Sequence, residues 1–273
     1  MLQQFLENGL RGKSNTTVKT YEHAILKFEE WLDGAGTNLQ EYARTDVQQY
    51  LNYLASRDKS AATINKIWNA IKKYSRWAGK EETIEDINII KVKDFRNEAP
   101  KALNRNELNR LLREVDRTGN KRDIAIVTLL SNTGIRLYEL VSLNITSIEI
   151  SNRKGNAKII GKGNRERDIP LNSEARRTIT RYLEERTDSE IALFLSNRGK
   201  RISARSVQHL LEKYGFNVHA LRHTFITNLI RSGEDISVVQ ALSGHANADM
   251  ILRYSAPTLY DKQYALENLY IEQ

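Results

Sequence analysis

One interval of this 273-residue chain, residues 146–170, breaks an otherwise helical apolar rhythm, and that limits the folds open to it. Ile148-Glu-Ile, Ala157-Lys-Ile-Ile and Arg167-Asp-Ile-Pro alternate as short strands do, with Asn152-Arg-Lys-Gly and Gly161-Lys-Gly-Asn as the turns between them. Helical patterning runs up to this interval and resumes at Ser173. The expectation is a mainly α (α+β) protein carrying one small antiparallel three-stranded sheet.

The amino-terminal part reads as helices. Val18, Tyr21, Ile25, Phe28 and Leu32 recur at 3, 4, 3 and 4, one apolar stripe, after the N-cap candidates Ser14-Asn-Thr-Thr. Asp33-Gly-Ala-Gly ends that helix. Val47, Tyr50, Leu51 and Leu54 mark a second, beginning after Thr45, and Ser60 caps a third whose inner face holds Ile64, Ile67, Trp68, Ile71 and Tyr74. The third helix carries Lys66, Lys72, Lys73 and Arg76 on its other face, which by themselves read as a solvated polar surface. Pro100 pushes Ala99 away from helical geometry, so 97–101 is taken as a linker between a helical unit, 1–96, and a second unit, 102–273. Asn104 with Glu107 forms a capping-box pattern for a helix through Leu112. Asp123 to Asn132 is a mostly apolar helix with Gly134 as its left-handed C-cap.

Forty per cent hydrophobic, 28% charged and 3 Pro describe a folded, helix-rich chain. With no cysteine, disulfides, thiolate metal sites and cysteine nucleophiles are excluded together, which suits a reducing cytoplasm. The start lacks a cationic region followed by an apolar one, and no apolar run approaches membrane-spanning length, so a cytoplasmic protein without membrane contact is expected. The formal net charge is +8, and the excess sits late: 15 Lys+Arg against 14 Asp+Glu in residues 1–99, but 27 against 20 in 100–273. That balance fits a polyanionic partner. Gly12-Lys13-Ser14 fails as a phosphate loop, because Glu7 stands where the earlier glycine is required and no strand leads in. Neither zinc-ligand spacing nor a clear two-metal acidic set occurs, and no cofactor is expected.

Four motifs remain, in fixed order. They are Thr133-Gly-Ile-Arg136-Leu-Tyr-Glu139-Leu, His219-Ala-Leu-Arg222-His223, Leu242-Ser-Gly-His245, and Tyr254 nine residues after that histidine. Of 12 tyrosines, only Tyr254 has a Gly-His pair nine residues before it. The set resembles the active site of the tyrosine recombinases, the integrase and Xer-type strand-exchange enzymes. The resemblance is strong over about 120–256 and looser before it. The family commonly carries Leu-Gly-His where this chain reads Leu242-Ser-Gly-His245, which leaves the Gly-His pair and its distance to the tyrosine intact.

The resemblance implies an N-terminal helical core-binding (SAM-like) domain and a mostly helical catalytic domain. It implies Arg136 and Arg222 as phosphate clamps, because a guanidinium presents paired N–H donors in a fixed fork that lysine does not reproduce. His219, three residues before Arg222 and on the same helix face, would accept the proton of Tyr254, and His245 would donate to the phosphate. Lys162, at the hairpin tip, would be the general acid, with Arg165 and Lys158 as fallback cations. Glu139 would orient other groups, and His223 is left to capping or packing. Lys66, Lys72, Lys73 and Arg76 become candidate phosphate contacts. The implied activity is metal-free and ATP-free site-specific strand exchange through a 3′-phosphotyrosyl link at Tyr254. The expected partner is double-stranded DNA with a specific recombination site, on which the chain, a monomer when free, forms a homo-tetramer across two sites. Residues 258–270 would be a C-terminal helix exchanged between subunits. A non-catalytic DNA-binding regulator and a type IB topoisomerase are the alternatives; a binding module has no reason to retain the whole catalytic set.

Overall fold

The computed structural model describes residues 1–89, 100–161, 163–257, 262–263, 266–267 and 269. The chain divides into two compact units, Met1–Asp94 and Phe95–Gln273. Most of the expected linker, and most of the expected exchange helix, lie outside the described residues.

The first unit is helical. α1 (Leu2–Gln4) runs into a π-helical turn, Phe5–Gly9, followed by α2 (Asn15–Gly34), α3 (Arg44–Ser56) and α4 (Ala61–Trp77). Ser14 and Ser60 cap as expected, their hydroxyls accepting from the Thr17 and Thr63 amides at 3.2 and 3.3 Å. The α2 stripe buries Ile25, Phe28 and Leu32, while Val18 and Tyr21 are half-buried. α3 begins before the expected start at Thr45, because Asp46 reaches back to accept from the Ala43 amide at 2.8 Å and closes the first turn there. Phe5, on a segment whose helicity the periodicity does not reveal, is fully buried and meets Tyr74 edge-on at 5.2 Å.

The second unit opens with α5 (Arg105–Asp116), capped reciprocally by Asn104 and Glu107 at 2.9 and 2.8 Å. It continues past Leu112 because Val115, four residues after Leu111, is buried on the same face. α6 (Lys121–Thr133) is buried almost all round from Ala125 to Leu130 and forms the centre of this unit. Ile126, Leu129 and Leu130 each contribute roughly 1.5–3 kcal/mol by leaving water. Gly134, at φ +59°, ends the helix in the left-handed conformation, and α7 (Leu137–Ser142) follows.

Strands β1 (Ile148–Ile150), β2 (Gly155–Ile160) and β3 (Glu166–Pro170) form one antiparallel sheet in that order. Ile148 pairs with Ala157, and Ala157 with Ile169; Ala157, Ile159 and Ile169 are the buried inner face. The β2–β3 hairpin closes with the Gly161 amide donating to the Arg165 carbonyl at 2.8 Å, and Gly163 and Asn164 take positive φ. Then come α8 (Ser173–Leu183), α9 (Ala204–Glu212), α10 (Val218–Arg231), α11 (Ile236–Ser243) and α12 (Asp249–Leu252), the last passing into a 3₁₀ turn, Arg253–Ser255. Among the described residues, no helix is long and apolar enough to cross a membrane.

Candidate active site

Two left-handed glycines position the arginines. Gly134 caps α6 and Gly244 caps α11 at φ +65°, and each turn aims terminal carbonyls into one place. Neither can be replaced freely. A Cβ at Gly134 would lie 2.3 Å from the Phe225 ring, and one at Gly244 would lie 2.8 Å from the Arg167 guanidinium. Arg222, on α10 and 7% exposed, donates to the carbonyls of Gly134 and Ser243, the latter at 2.8 Å. Arg136, N-terminal to α7, donates through Nη2 to the Gly244 carbonyl at 3.0 Å and through Nη1 to Glu139 at 3.1 Å. The two guanidiniums thus converge on one pair of helix ends. Burial, and then the charge of Arg136, bring Arg222 down to about 10.

Glu139 is the hub beneath them. Its carboxylate accepts from the Arg136 amide at 2.7 Å and, in a paired fork, from Arg167 at 3.0 and 2.8 Å. Burial alone would raise this carboxyl, but the hydrogen bonds from Arg167 and Arg136 outweigh it and hold it below the usual range. The orienting role expected of Glu139 therefore has a partner absent from the expected set. Arg167 on β3, whose Nε also donates to the Leu242 carbonyl at 3.3 Å, ties the sheet to the end of α11.

His245 follows the second cap. Arg222 Nη2 lies 3.3 Å from its Nε2, and a guanidinium only donates, so Nε2 is the acceptor. The proton then sits on Nδ1 and donates to Ser243 Oγ at 2.9 Å. Burial, with Arg222 and Arg136 close by, lowers this imidazole to about 4. His245 is therefore neutral near pH 7, with its lone pair toward Arg222. The phosphate-donating role expected of it requires a proton or a tautomer change when an anion arrives.

Tyr254, in the 3₁₀ turn, is 7% exposed and packs against the rings of His223 and His245, at centroid separations of 5.6 and 6.2 Å. Burial raises its phenol above the ordinary value, although Arg222, Arg253 and Arg136 pull the other way. Its Oη lies 2.9 Å from Nδ1 of His223. His223, expected to cap or pack, thus both packs on the Tyr254 ring and meets its hydroxyl. His219 is exposed; the imidazole that meets the tyrosine hydroxyl is the next one along. The signal was present in the spacing: His223 is four residues after His219, so the two share a helix face with Arg222. Arg222, His219, His223, His245, Arg253 and Tyr254 all line one cavity of about 620 Å³. Arg253, also unforeseen, has a buried Nε with no hydrogen-bond partner among the described residues. Lys162 lies outside the described residues; of the fallback cations, Lys158 faces Glu166 at 3.8 Å across the strands and Arg165 is exposed.

The first unit carries a groove of about 1310 Å³ between its helices. Lys19, Lys27, Arg57, Lys59 and Lys66 line it, with Trp31, Tyr50 and Tyr53 as aromatic walls. Of the four α4 cations expected to meet phosphates, Lys66 lines this groove; Lys73 and Arg76 are exposed elsewhere on α4, and Lys72 is half-buried.

Comparison with known proteins identifies the class. The model of the phage integrase family matches residues 101–259, and that of the phage integrase N-terminal SAM-like domain matches 2–82. Tyrosine recombinase XerD of Bifidobacterium longum is 32% identical over 264 residues, covering 87% of this chain and 85% of that protein. Tyrosine recombinase XerA of Pyrococcus furiosus is 32% identical over 270 residues, covering 94% and 89%. The chain belongs to the tyrosine recombinase (phage integrase) family. Solved structures share its fold: the XerH site-specific recombinase bound to difH substrate aligns with a TM-score of 0.72 at 22% identity, covering 99% of this chain and 83% of that one. The Tn1549 transposon integrase with circular intermediate DNA aligns with 0.73 at 20% identity, covering 97% and 98%.

Proposed function

We propose that this protein is a site-specific DNA recombinase that cuts and rejoins strands through a 3′-phosphotyrosyl intermediate at Tyr254. The observation that carries the reading is the convergence of Arg136, Arg222 and His245 on the two glycine-capped helix ends, with the Tyr254 hydroxyl beside them. Arg136 and Arg222 clamp the non-bridging oxygens of the scissile phosphate, already oriented by main-chain carbonyls before the charge arrives. His245 donates to the same oxygens once the phosphate has offset the cations around it. His219 lines the same cavity. Lys162 protonates the departing 5′ oxygen. The bond energy stays in the tyrosyl ester, so rejoining needs no ATP, and the guanidiniums supply the charge stabilisation that a metal ion would give. Double-stranded DNA with a specific site is the substrate. The groove of the first unit, with Lys66, and the α4 cations Lys72, Lys73 and Arg76 meet its phosphates, and four copies assemble across two sites.

A nicked suicide duplex carrying the cognate site, incubated with EDTA, should trap a covalent protein–DNA adduct. Tyr254→Phe should abolish the adduct and leave duplex binding nearly intact, since one hydroxyl is lost. Adduct formation by Tyr254→Phe would place the nucleophile elsewhere. Lys162→Ala should slow cleavage of ordinary DNA, and a 5′-bridging phosphorothiolate should restore it, because a thiolate leaves without a proton. Failure of that rescue would remove Lys162 from the acid role.

A further inference from the structure

We propose that His223 is the catalytic base that takes the proton from Tyr254. The inference rests on the reading of Tyr254 as nucleophile and deepens it. Three observations carry it. First, Nδ1 of His223 stands 2.9 Å from the tyrosine Oη, within the reach a general base needs. Second, both partners are fixed. His223 is in the second turn of α10, whose flanking Arg222 and Thr224 are buried, and Tyr254 is itself buried in the 3₁₀ turn. Third, a phenol is a far stronger acid than a neutral imidazole N–H, so the hydrogen bond runs from the tyrosine O–H to the Nδ1 lone pair.

Ionisable groups reach this pair from several elements. His219 and Arg222 come from α10, and Arg253 from the 3₁₀ turn. His245 follows α11, and Lys101 and Glu107 line the same cavity ahead of and within α5. Burial, and then the charges of His219, Arg222 and Arg253, lower the His223 imidazole below its ordinary value, so it is neutral and able to accept. A bound scissile phosphate brings negative charge against Arg136 and Arg222, offsets part of that cationic field, and makes His223 more basic when the base is needed.

The step balances. The Oη–H bond breaks, its proton passes to Nδ1, and the oxygen's electron pair forms the bond to phosphorus. The P–O5′ bond breaks with its pair on the 5′ oxygen, which takes a proton from Lys162. Rejoining is the reverse, with the imidazolium returning its proton to the tyrosine.

The test compares His223→Asn with wild type on the nicked suicide duplex, with ordinary and 5′-phosphorothiolate substrates, between about pH 5 and 8. Asparagine sets Oδ1 near the place of Nδ1; it can hold the hydroxyl but cannot carry off its proton. The adduct rate should fall by about 10²-fold or more on both substrates, with binding unchanged, and the acid limb of the wild-type profile should disappear. His219→Asn should retain that limb. A near wild-type rate, a surviving limb in His223→Asn, or loss of the limb in His219→Asn instead would each overturn the proposal. Should His223→Asn not fold, ring-labelled histidine NMR of wild type and Tyr254→Phe decides: one imidazole should shift its titration when the hydroxyl is removed, and no change in any of the five histidines would overturn it. Absence of any adduct with wild-type protein would instead sink the recombinase reading itself.

Discussion

Replacing Arg167 with methionine isolates the least expected part of the site. Arg167 and Glu139 form a paired ion bridge with side chains 15% and 5% exposed, so removing the arginine leaves a buried carboxylate short of two donors. Breaking a buried pair from one side costs about 3–5 kcal/mol. Glu139 keeps the Arg136 amide at 2.7 Å and its Nη1 at 3.1 Å, which places the loss near the lower end, about 3 kcal/mol. In a unit of this size that corresponds to a fall in Tm of roughly 6–12 °C. The loss is pH-dependent with a definite sign. Glu139 is held below its ordinary value, so its contribution is full above that value and disappears as pH falls through the folded one. The gap between wild type and Arg167→Met should therefore be widest near neutrality and close in acid. Urea unfolding of wild type, Arg167→Met, Glu139→Gln and the double variant measures this directly. The double variant should be more stable than the sum of the singles predicts by about 1–3 kcal/mol. Additivity within about 0.5 kcal/mol, or a single loss below about 1 kcal/mol, would refute the hub role of Glu139.

Further outcomes follow from the same structure. His245 is lowered to about 4 from its ordinary 6.5, so stability should be full above 6.5 and fall by up to about 3 kcal/mol as pH drops toward 4; His245→Asn, compared by urea unfolding at two pH values, should flatten that slope. Gly134→Ala should cost about 2–4 kcal/mol, from its positive φ and the contact with Phe225, and should depress adduct formation by displacing the carbonyl that holds Arg222, as thermal denaturation and the suicide-substrate assay would register. Lys19→Ala and Lys66→Ala should each reduce the slope of log affinity against log salt by about 0.9 if each side chain neutralises one phosphate, and an unchanged slope would remove that residue from the interface.

Much of the architecture was legible because it is written in local chemistry. Ser14, Ser60, the Asn104–Glu107 box and Gly134 act on residues within a turn of themselves, and the three strands announce themselves by alternation. Arg167 was not legible. In sequence it is one polar position of an alternating strand, and only the fold brings it to Glu139, 28 residues away, and to Leu242, 75 away. The contact of His223 was hidden for a different reason. Helix spacing makes it a neighbour of His219, but only the fold brings Tyr254, 31 residues away, to one of the two imidazoles. Phe5 was hidden because a short helical segment has too few turns to display a period.

The arginines of the site are held by carbonyls of Gly134, Ser243 and Gly244, at the ends of α6 and α11. A carbonyl belongs to the main chain, so a side-chain substitution leaves it in place, but a change in helix length moves it. One residue inserted into or deleted from either helix swings its terminal carbonyl by about 100° around the axis. Insertions and deletions within α6 and α11 should therefore be far less tolerated than point changes on their exposed positions. What lineages of this protein must conserve there is a count of residues, which a reader of aligned identities would not see.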